Sequence, residues 1–259
     1  MPVTEPSTAV PDDDGELDAR APLPADTVGL LEGLTTTRAI RRYKDEPVPE
    51  SVLRAILFAA TRAPTGTNRQ HFRFIVLTDS PNALAAKKLI AQRARSAWAG
   101  MRARDGYDSG SGAEGNSRKT RMARTMQEFT DNFEKAPILI LPCLIRQKNP
   151  SKLEAASIYP AVQNILLAAR ALGYGGVLTG YHLAVEDELV KLLDIPPNIF
   201  IAGTITLGKP QGSHGTVRRR PLSELVFVDK WGNAPSWAID PPGTEYASAG
   251  PPKRASAEK

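Results

Sequence analysis

One cysteine, Cys143, occurs in 259 residues. A lone thiol excludes an intrachain disulfide framework and a cysteine-based zinc centre. Its place in the apolar run APILILPCLI marks it as a small core hydrophobe. Such sparing cysteine usage suits a reducing, cytoplasmic compartment. Histidine is almost as scarce: His71, His182 and His214 share no ligand spacing and no H-E-x-x-H occurs, so no metal site is expected. There is no G-x-S-x-G elbow, no G-x-x-x-x-G-K-[ST] loop, and no G-x-G-x-x-G at a strand-to-helix turn. Serine hydrolysis, P-loop chemistry and a Rossmann dinucleotide site are thereby excluded. Apolar runs reach only about ten residues, half of the roughly 20 that a membrane span needs. The start, MPVTEPSTAVPDDDGELDAR, is acidic and proline-rich, without the basic and apolar regions of a secretory signal. The net charge of +5 suits small anionic ligands and is far from that of a nucleic-acid-binding tail. With no side-chain nucleophile or metal cluster in sight, the chemistry is expected to reside in a bound cofactor.

What is present reads as one folded unit over residues 26–238, flanked by disordered tails at 1–25 and 239–259 whose Pro, Ala, Asp and Glu bury little. Hydrophobic residues make up 41%, enough for a sizeable core. The pattern predicts a helix over 27–34 capped by Asp26, a helix opened by Pro49, and an alternating strand over 71–78. A helix over 80–102 and a basic helix near 118–133 follow, separated by a flexible Gly/Ser insert. Residues 137–145 form a continuous apolar strand, as burial on both faces requires. A long helix over 151–173 carries Ile158, Val162, Ile165, Ala169 and Leu172 on one face, with a kink at Pro160. Strands near 176–179 and 200–207 bracket a helix at 186–193. The alternation predicts helices on both faces of a mixed sheet.

Four short segments stand out. TTRAIRRY sets Arg38, Arg41 and Arg42 together with no acid between Thr35 and Lys44. Guanidinium forks grip phosphate through paired hydrogen bonds, so the run is either an anion site or a solvated basic face. PTGTN offers the hydroxyl and amide groups of Thr65, Thr67 and Asn68 around Gly66, as a turn or a planar-ligand cradle. GGVLTGYHL surrounds a short strand with Gly175, Gly176 and Gly180, where a ligand or another backbone approaches closely. TVRRRPLSEL is an exposed solubilising run or a second phosphate clamp.

In this order and spacing, RAIRRY, PVPESVLRAILFAATRAPTGTNRQHFRFIVL, YPAVQNILLAARALGYGGVLTGYHL, TLGKP and RRRPLSELV together resemble the flavin-dependent nitroreductase family over about residues 30–230. The resemblance implies an α+β fold, a three-layer α/β/α arrangement around a mixed central sheet, built as an intertwined homodimer. It implies FMN at the subunit boundary, with NAD(P)H as co-substrate and a nitroaromatic, quinone or similar small molecule as acceptor in a ping-pong cycle. By position, Arg38, Ala39 and Arg41 match the segment gripping FMN phosphate and the pyrimidine end. Pro64, Thr65, Gly66 and Asn68 match the loop that reaches FMN from the partner subunit. Leu178, Thr179 and Gly180 match the strand beside flavin N5, and Arg219, with Arg218 as its competitor, matches the late phosphate arginine. No catalytic side chain is assigned, because flavin N5 carries the chemistry. Thr37 and Ala39 depart from the family's arginine and serine, and NRQHFRF from its Asn-x-Gln-Pro-Trp. The basic insert over 94–124, with Trp98 and Tyr107, is expected to be a variable lid that sets specificity. A non-catalytic flavin-binding protein and a reductive dehalogenase are the alternatives.

Overall fold

The computed structural model describes residues 21–146 and 154–247. Most of the expected tails, residues 1–20 and 248–259, and the start of the long helix lie outside the described residues. The elements in chain order are α1 (Leu30–Thr36), α2 (Glu50–Ala60), β1 (Phe72–Leu77), α3 (Pro81–Arg104), α4 (Arg118–Asp131), β2 (Ile138–Ile145), α5 (Tyr159–Ala171), β3 (Gly175–Thr179), α6 (Glu186–Leu192), β4 (Ile199–Ile201), β5 (Thr204–Gly208) and α7 (Leu222–Leu225).

Local chemistry explains most of these boundaries. Ser80 and Ser117 accept from the backbone N–H groups of Ala83 and Thr120, so α3 and α4 start where those hydroxyls satisfy orphan donors. The helix α1 begins after Gly29 and not at Asp26. Thr27 is already committed elsewhere, giving both its N–H and its hydroxyl to Ala171 O at the end of α5. Pro160 lies in the first turn of α5, where its missing N–H has no helical partner to lose. The kink predicted inside a longer helix is therefore absent, and a short 3₁₀ turn over Glu154–Ser157 precedes the helix instead.

The strands form one sheet in the order β1-β2-β5-β3, with β4 pairing a second stretch of β2. Every pairing among the described strands is antiparallel, where the sequence suggested a mixed sheet. The α3–α4 excursion accounts for the first of these pairings, β1 with β2. It leaves the end of β1 at Leu77 and returns at Leu139 beside it, so β2 runs back along its neighbour.

The single strand predicted over 200–207 is divided. Cys143 opposes Ile201 while Ile140 opposes Ile205, so one extra residue is accommodated between β4 and β5. This bulge faces Pro142, which has no N–H to offer but whose carbonyl accepts from Ala202 N at 2.8 Å.

Alternation along β2 creates the three layers. Ile138, Ile140 and Leu144 join Val52 and Ile56 of α2 and the Ile158, Val162, Ile165, Ala169 and Leu172 stripe on one face. Leu139, Leu141 and Cys143 join Ile90 of α3, Phe129 of α4 and Leu189 of α6 on the other. Each such aliphatic side chain contributes about 1.5–3 kcal/mol by leaving water. Burial also pushes the Cys143 thiol up to about 12, in keeping with an inert core residue.

The Gly/Ser insert, expected to be flexible, is held by specific contacts. Thr120 donates from its hydroxyl towards the carbonyls of Gly112 and Glu114, and Ser117 towards that of Ser111. Trp98 is buried edge-on against Tyr107 and donates to Gln127 Oε1.

His182 is buried beneath the sheet, with Nε2 2.9 Å from Ile201 O. Burial lowers its pKa below the ordinary 6.5, so the unfolded chain takes up the proton first. Its contribution is complete above pH 6.5 and is lost as the pH falls below that value. We predict that the melting temperature declines between pH 7 and pH 5 and that His182→Gln flattens the decline; an equal slope in the variant disproves the assignment.

Candidate functional site

After α1 the chain straightens and runs along the open side of β3. Ile40 N donates to Gly176 O at 3.0 Å, Lys44 N to Lys209 O at 2.9 Å, and Gln211 N to Arg42 O at 3.0 Å. The close approach inferred from the glycines is here an approach of the chain to itself. A Cβ on Gly175 would lie 2.5 Å from Ile40 Cγ1, and one on Gly176 would lie 2.3 Å from Thr206 O. Gly180 differs, since a Cβ there would meet only Leu183 at an ordinary 3.5 Å.

This strip presents its side chains unequally. Tyr43 is tucked inward, its hydroxyl 2.7 Å from both Ile40 O and Thr206 Oγ1, and burial raises its pKa. Arg42 Nε lies 2.7 Å from Glu128 Oε2 of α4, an ion pair whose approach is off the line of a hydrogen bond. Arg38 is exposed and Arg41 half-buried. Among the described residues neither guanidinium has an ion pair or hydrogen bond. Burial lowers the Arg41 pKa, Tyr181 and Tyr43 oppose that shift, and the charge of Arg38 adds to it. Among the described residues two mutually repelling cations thus stand without an ion-pair partner, an arrangement suited to an anion.

At the other end of β3, Thr179 donates from its hydroxyl to Thr204 O at 3.3 Å, while Leu178 and Gly180 face solvent. Tyr181 follows, edge-on to Phe133 at 5.6 Å. Arg38, Ala39, Arg41, Leu178, Thr179 and Gly180 therefore border one edge of the sheet. Tyr43 and Tyr181 complete this border and were not singled out from sequence, although each directly follows a motif, RAIRR and LTG.

The loop of Pro64, Thr65, Gly66 and Asn68 is elsewhere. It precedes β1, the strand at the opposite edge, about 14 Å away across three strand spacings. From the arginine strip it is also separated along the strands, because Phe72 pairs with Leu144 whereas Gly175, beside Ile40, pairs with Gly208, next to the partner of Ile138. Leu178, Thr179 and Gly180, at the other end of β3, are set apart from it by the strand spacings. One chain does not bring the two motifs together. The loop is exposed and is organised by its own atoms: Gln70 N donates to Thr65 Oγ1 at 3.0 Å and Asn68 N to Thr65 O at 3.0 Å. Thr67, Asn68 and Gln70 have φ of 51°, 53° and 53°. The left-handed region is costly for side-chain-bearing residues, above all β-branched Thr67, and such strain clusters at functional loops.

The late arginines are brought to the end of α1, where Val217 N donates to Thr35 O at 3.0 Å. Arg218 is engaged by Glu245, with Nε 2.6 Å from Oε2. Arg219 donates from Nη1 to Arg218 O at 2.9 Å, and its own carbonyl accepts from Ala247 N. Among the described residues no hydrogen bond links either side chain to the Arg38–Arg41 strip. Among the described residues no three His, Cys, Asp or Glu side chains converge as a metal site would require, and no helix is long and apolar enough to cross a membrane.

Residues 34–209 match the model of the nitroreductase family. A NADH dehydrogenase of Thermus thermophilus is 26% identical over 216 residues, covering 78% of this chain and 98% of its own. An FMN reductase (NAD(P)H) of Bacillus subtilis is 25% identical over 210 residues, covering 79% and 75% respectively. Among solved structures, a protein of Desulfovibrio desulfuricans, described as a nitroreductase and determined in complex with FMN, superposes with a TM-score of 0.55 at 27% identity. That alignment covers 78% of this chain and 97% of the other.

Because the Tyr43 hydroxyl ties the strip to β5, Tyr43→Phe is expected to cost about 1–2 kcal/mol through the lost bond and the unpaired Thr206 hydroxyl. Urea unfolding measures this, and a change below a few tenths of a kcal/mol contradicts the anchoring role.

Proposed function

The chain belongs to the nitroreductase family, and from that membership we propose that it is an FMN-dependent oxidoreductase carrying hydride from NAD(P)H to a small acceptor of the nitroaromatic or quinone type. The observation that carries this reading is the pair Arg38 and Arg41, two guanidinium groups without a counter-charge beside the open edge of β3.

The residues fit FMN. Exposed Arg38 offers donors for a phosphate, and half-buried Arg41, between Tyr43 and Tyr181, offers positive charge in a less polar setting for the pyrimidine end. Leu178 supplies apolar surface, and Gly180 leaves backbone accessible where no part of the chain needs the space. Among the described residues Arg219 is the late arginine free of a carboxylate partner, whereas Arg218 is held by Glu245. Thr37 commits its hydroxyl to Gly33 O at 2.6 Å and Ala39 has none to offer, so the arginines bear more of the binding. When bound, FMN supplies the hydride-transfer chemistry. The protein's part is to fix donors against developing negative charge before the reaction begins, which lowers the barrier without reorganisation. Donor and acceptor taking turns at one face gives the ping-pong order.

The distance between the two motif groups argues for a homodimer. A two-fold related copy can bring its strained Thr65–Gln70 loop to the β3 edge that this chain's own loop does not reach. Exposed apolar surface supports this: Leu30 and Leu31 on α1, and Trp231, Trp237 and Ile239 in the C-terminal arm, are all more than half exposed.

The purified protein should be yellow, elute as a dimer, and bleach when NAD(P)H is added without oxygen. Colourless protein that leaves the fluorescence of added FMN unquenched overturns the reading. Arg38→Ala and Arg41→Ala should each weaken FMN binding about tenfold to a hundredfold, since a hydrogen bond to a charged group contributes about 1.5–3 kcal/mol. Fluorescence titration of apoprotein with FMN measures this, and wild-type affinity in both variants excludes the arginine pair.

A further inference from the structure

Arg41 also lines a cleft of about 530 Å³, bordered by Arg42, Lys44, Glu128, Asn132 and Lys135. Glu128 and Asn132 lie equally on a second cleft of about 480 Å³, whose wall includes Arg102, Tyr107 and Arg124. The two clefts meet at Glu128 of α4 and at Asn132, its end, and we take them as one groove. From Asn132 back to Thr120 that groove extends about 18 Å at the helical rise per residue.

Its charges divide into satisfied and unsatisfied sets. Arg42 faces Glu128, Lys44 faces Glu46, Arg102 holds Asp108 in a fork, and Asp131 accepts from Gln127. Arg41, Lys135 and Arg124 have no ion pair or side-chain hydrogen bond among the described residues, while Asp45 is the single lining carboxylate without one. The groove thus spaces three unneutralised cations along a path long enough for an extended dinucleotide. Of the molecules named above other than FMN, whose phosphate is assigned to Arg38, only the nicotinamide donor carries phosphate.

We propose that this groove receives the donor, with Lys135 facing the diphosphate that NADH and NADPH share and Arg124, at the end remote from Arg41, facing the 2′-phosphate unique to NADPH. The enzyme is then NADPH-preferring, and Arg124 is its specificity-determining residue. A guanidinium fork suits a phosphomonoester dianion, whereas the Lys135 ammonium acts as a point charge on the diphosphate. The proposal rests on the functional reading above and adds donor choice to it.

The test uses the FMN-loaded dimer. Steady-state kcat/KM is measured for NADPH and NADH, and binding of adenosine 2′,5′-bisphosphate, which cannot reduce anything, is followed by calorimetry. Wild-type protein should prefer NADPH at least tenfold, and added salt should narrow that preference by screening exposed charges. Arg124→Gln should lose about tenfold on NADPH and on the bisphosphate and little on NADH, and Arg124→Lys should recover part of the loss. Lys135→Gln should depress both donors alike. Equal use of the two donors by wild type, or parallel losses in Arg124→Gln, overturns the groove assignment while flavin turnover stands. Bisphosphate binding that depends on Arg124 in protein without flavin turnover upholds the groove and overturns the functional reading.

Discussion

The N–H of Ile40 meets the carbonyl of Gly176, and the Ile40 side chain fills the space that the missing side chain of Gly175 leaves open. The candidate site depends on that contact. Without it the segment between α1 and the 209–211 stretch has no rail to follow, and Arg38 and Arg41 lose their fixed relation to β3. The neighbouring bonds, Lys44 to Lys209 O and Gln211 to Arg42 O, extend the same rail. Tyr43 pins it from below through Thr206. A half-buried cation beside another cation is electrostatically unfavourable in isolation, and such positions are kept where an anion is to be received. The packing of two aliphatic residues therefore sustains an electrostatic feature that neither of them carries.

The sheet imposes the second constraint. Its central strand β2 is buried on both faces and pairs with β1, β4 and β5, so β1 and β3 are driven to opposite edges. The loop preceding β1 and the strip beside β3 therefore lie at opposite edges of the sheet. The strained Thr67–Gln70 backbone is held by local hydrogen bonds and is presented outward. The two motif groups that the family resemblance assigns to the flavin are displayed at separate surfaces of the chain. The same architecture places α4 across the end of the strip, where Glu128 neutralises Arg42 and leaves Arg41 uncompensated.

Local periodicity and local motifs were largely readable from the sequence alone. The apolar stripe of α5 and the two-faced burial of β2 rest on patterning within a few residues, and these the structure reproduces. The family resemblance was legible too, because RAIRR, PTGTN and LTG each occupy short contiguous stretches. Long-range pairing decided the rest. The antiparallel pairing of β1 with β2 follows from where the α3–α4 excursion returns, the division of β4 from β5 from a bulge opposite Pro142, and the start of α1 from Thr27 being spent on α5. The fates of the arginines were equally beyond sequence reasoning: acids far along the chain, Glu128 and Glu245, pair with Arg42 and Arg218, whereas among the described residues Arg38 and Arg41 form no ion pair, which is a tertiary fact. Which residues can form elements is dictated by short-range sterics and patterning, but which charges go unanswered is fixed only when distant segments fold against one another.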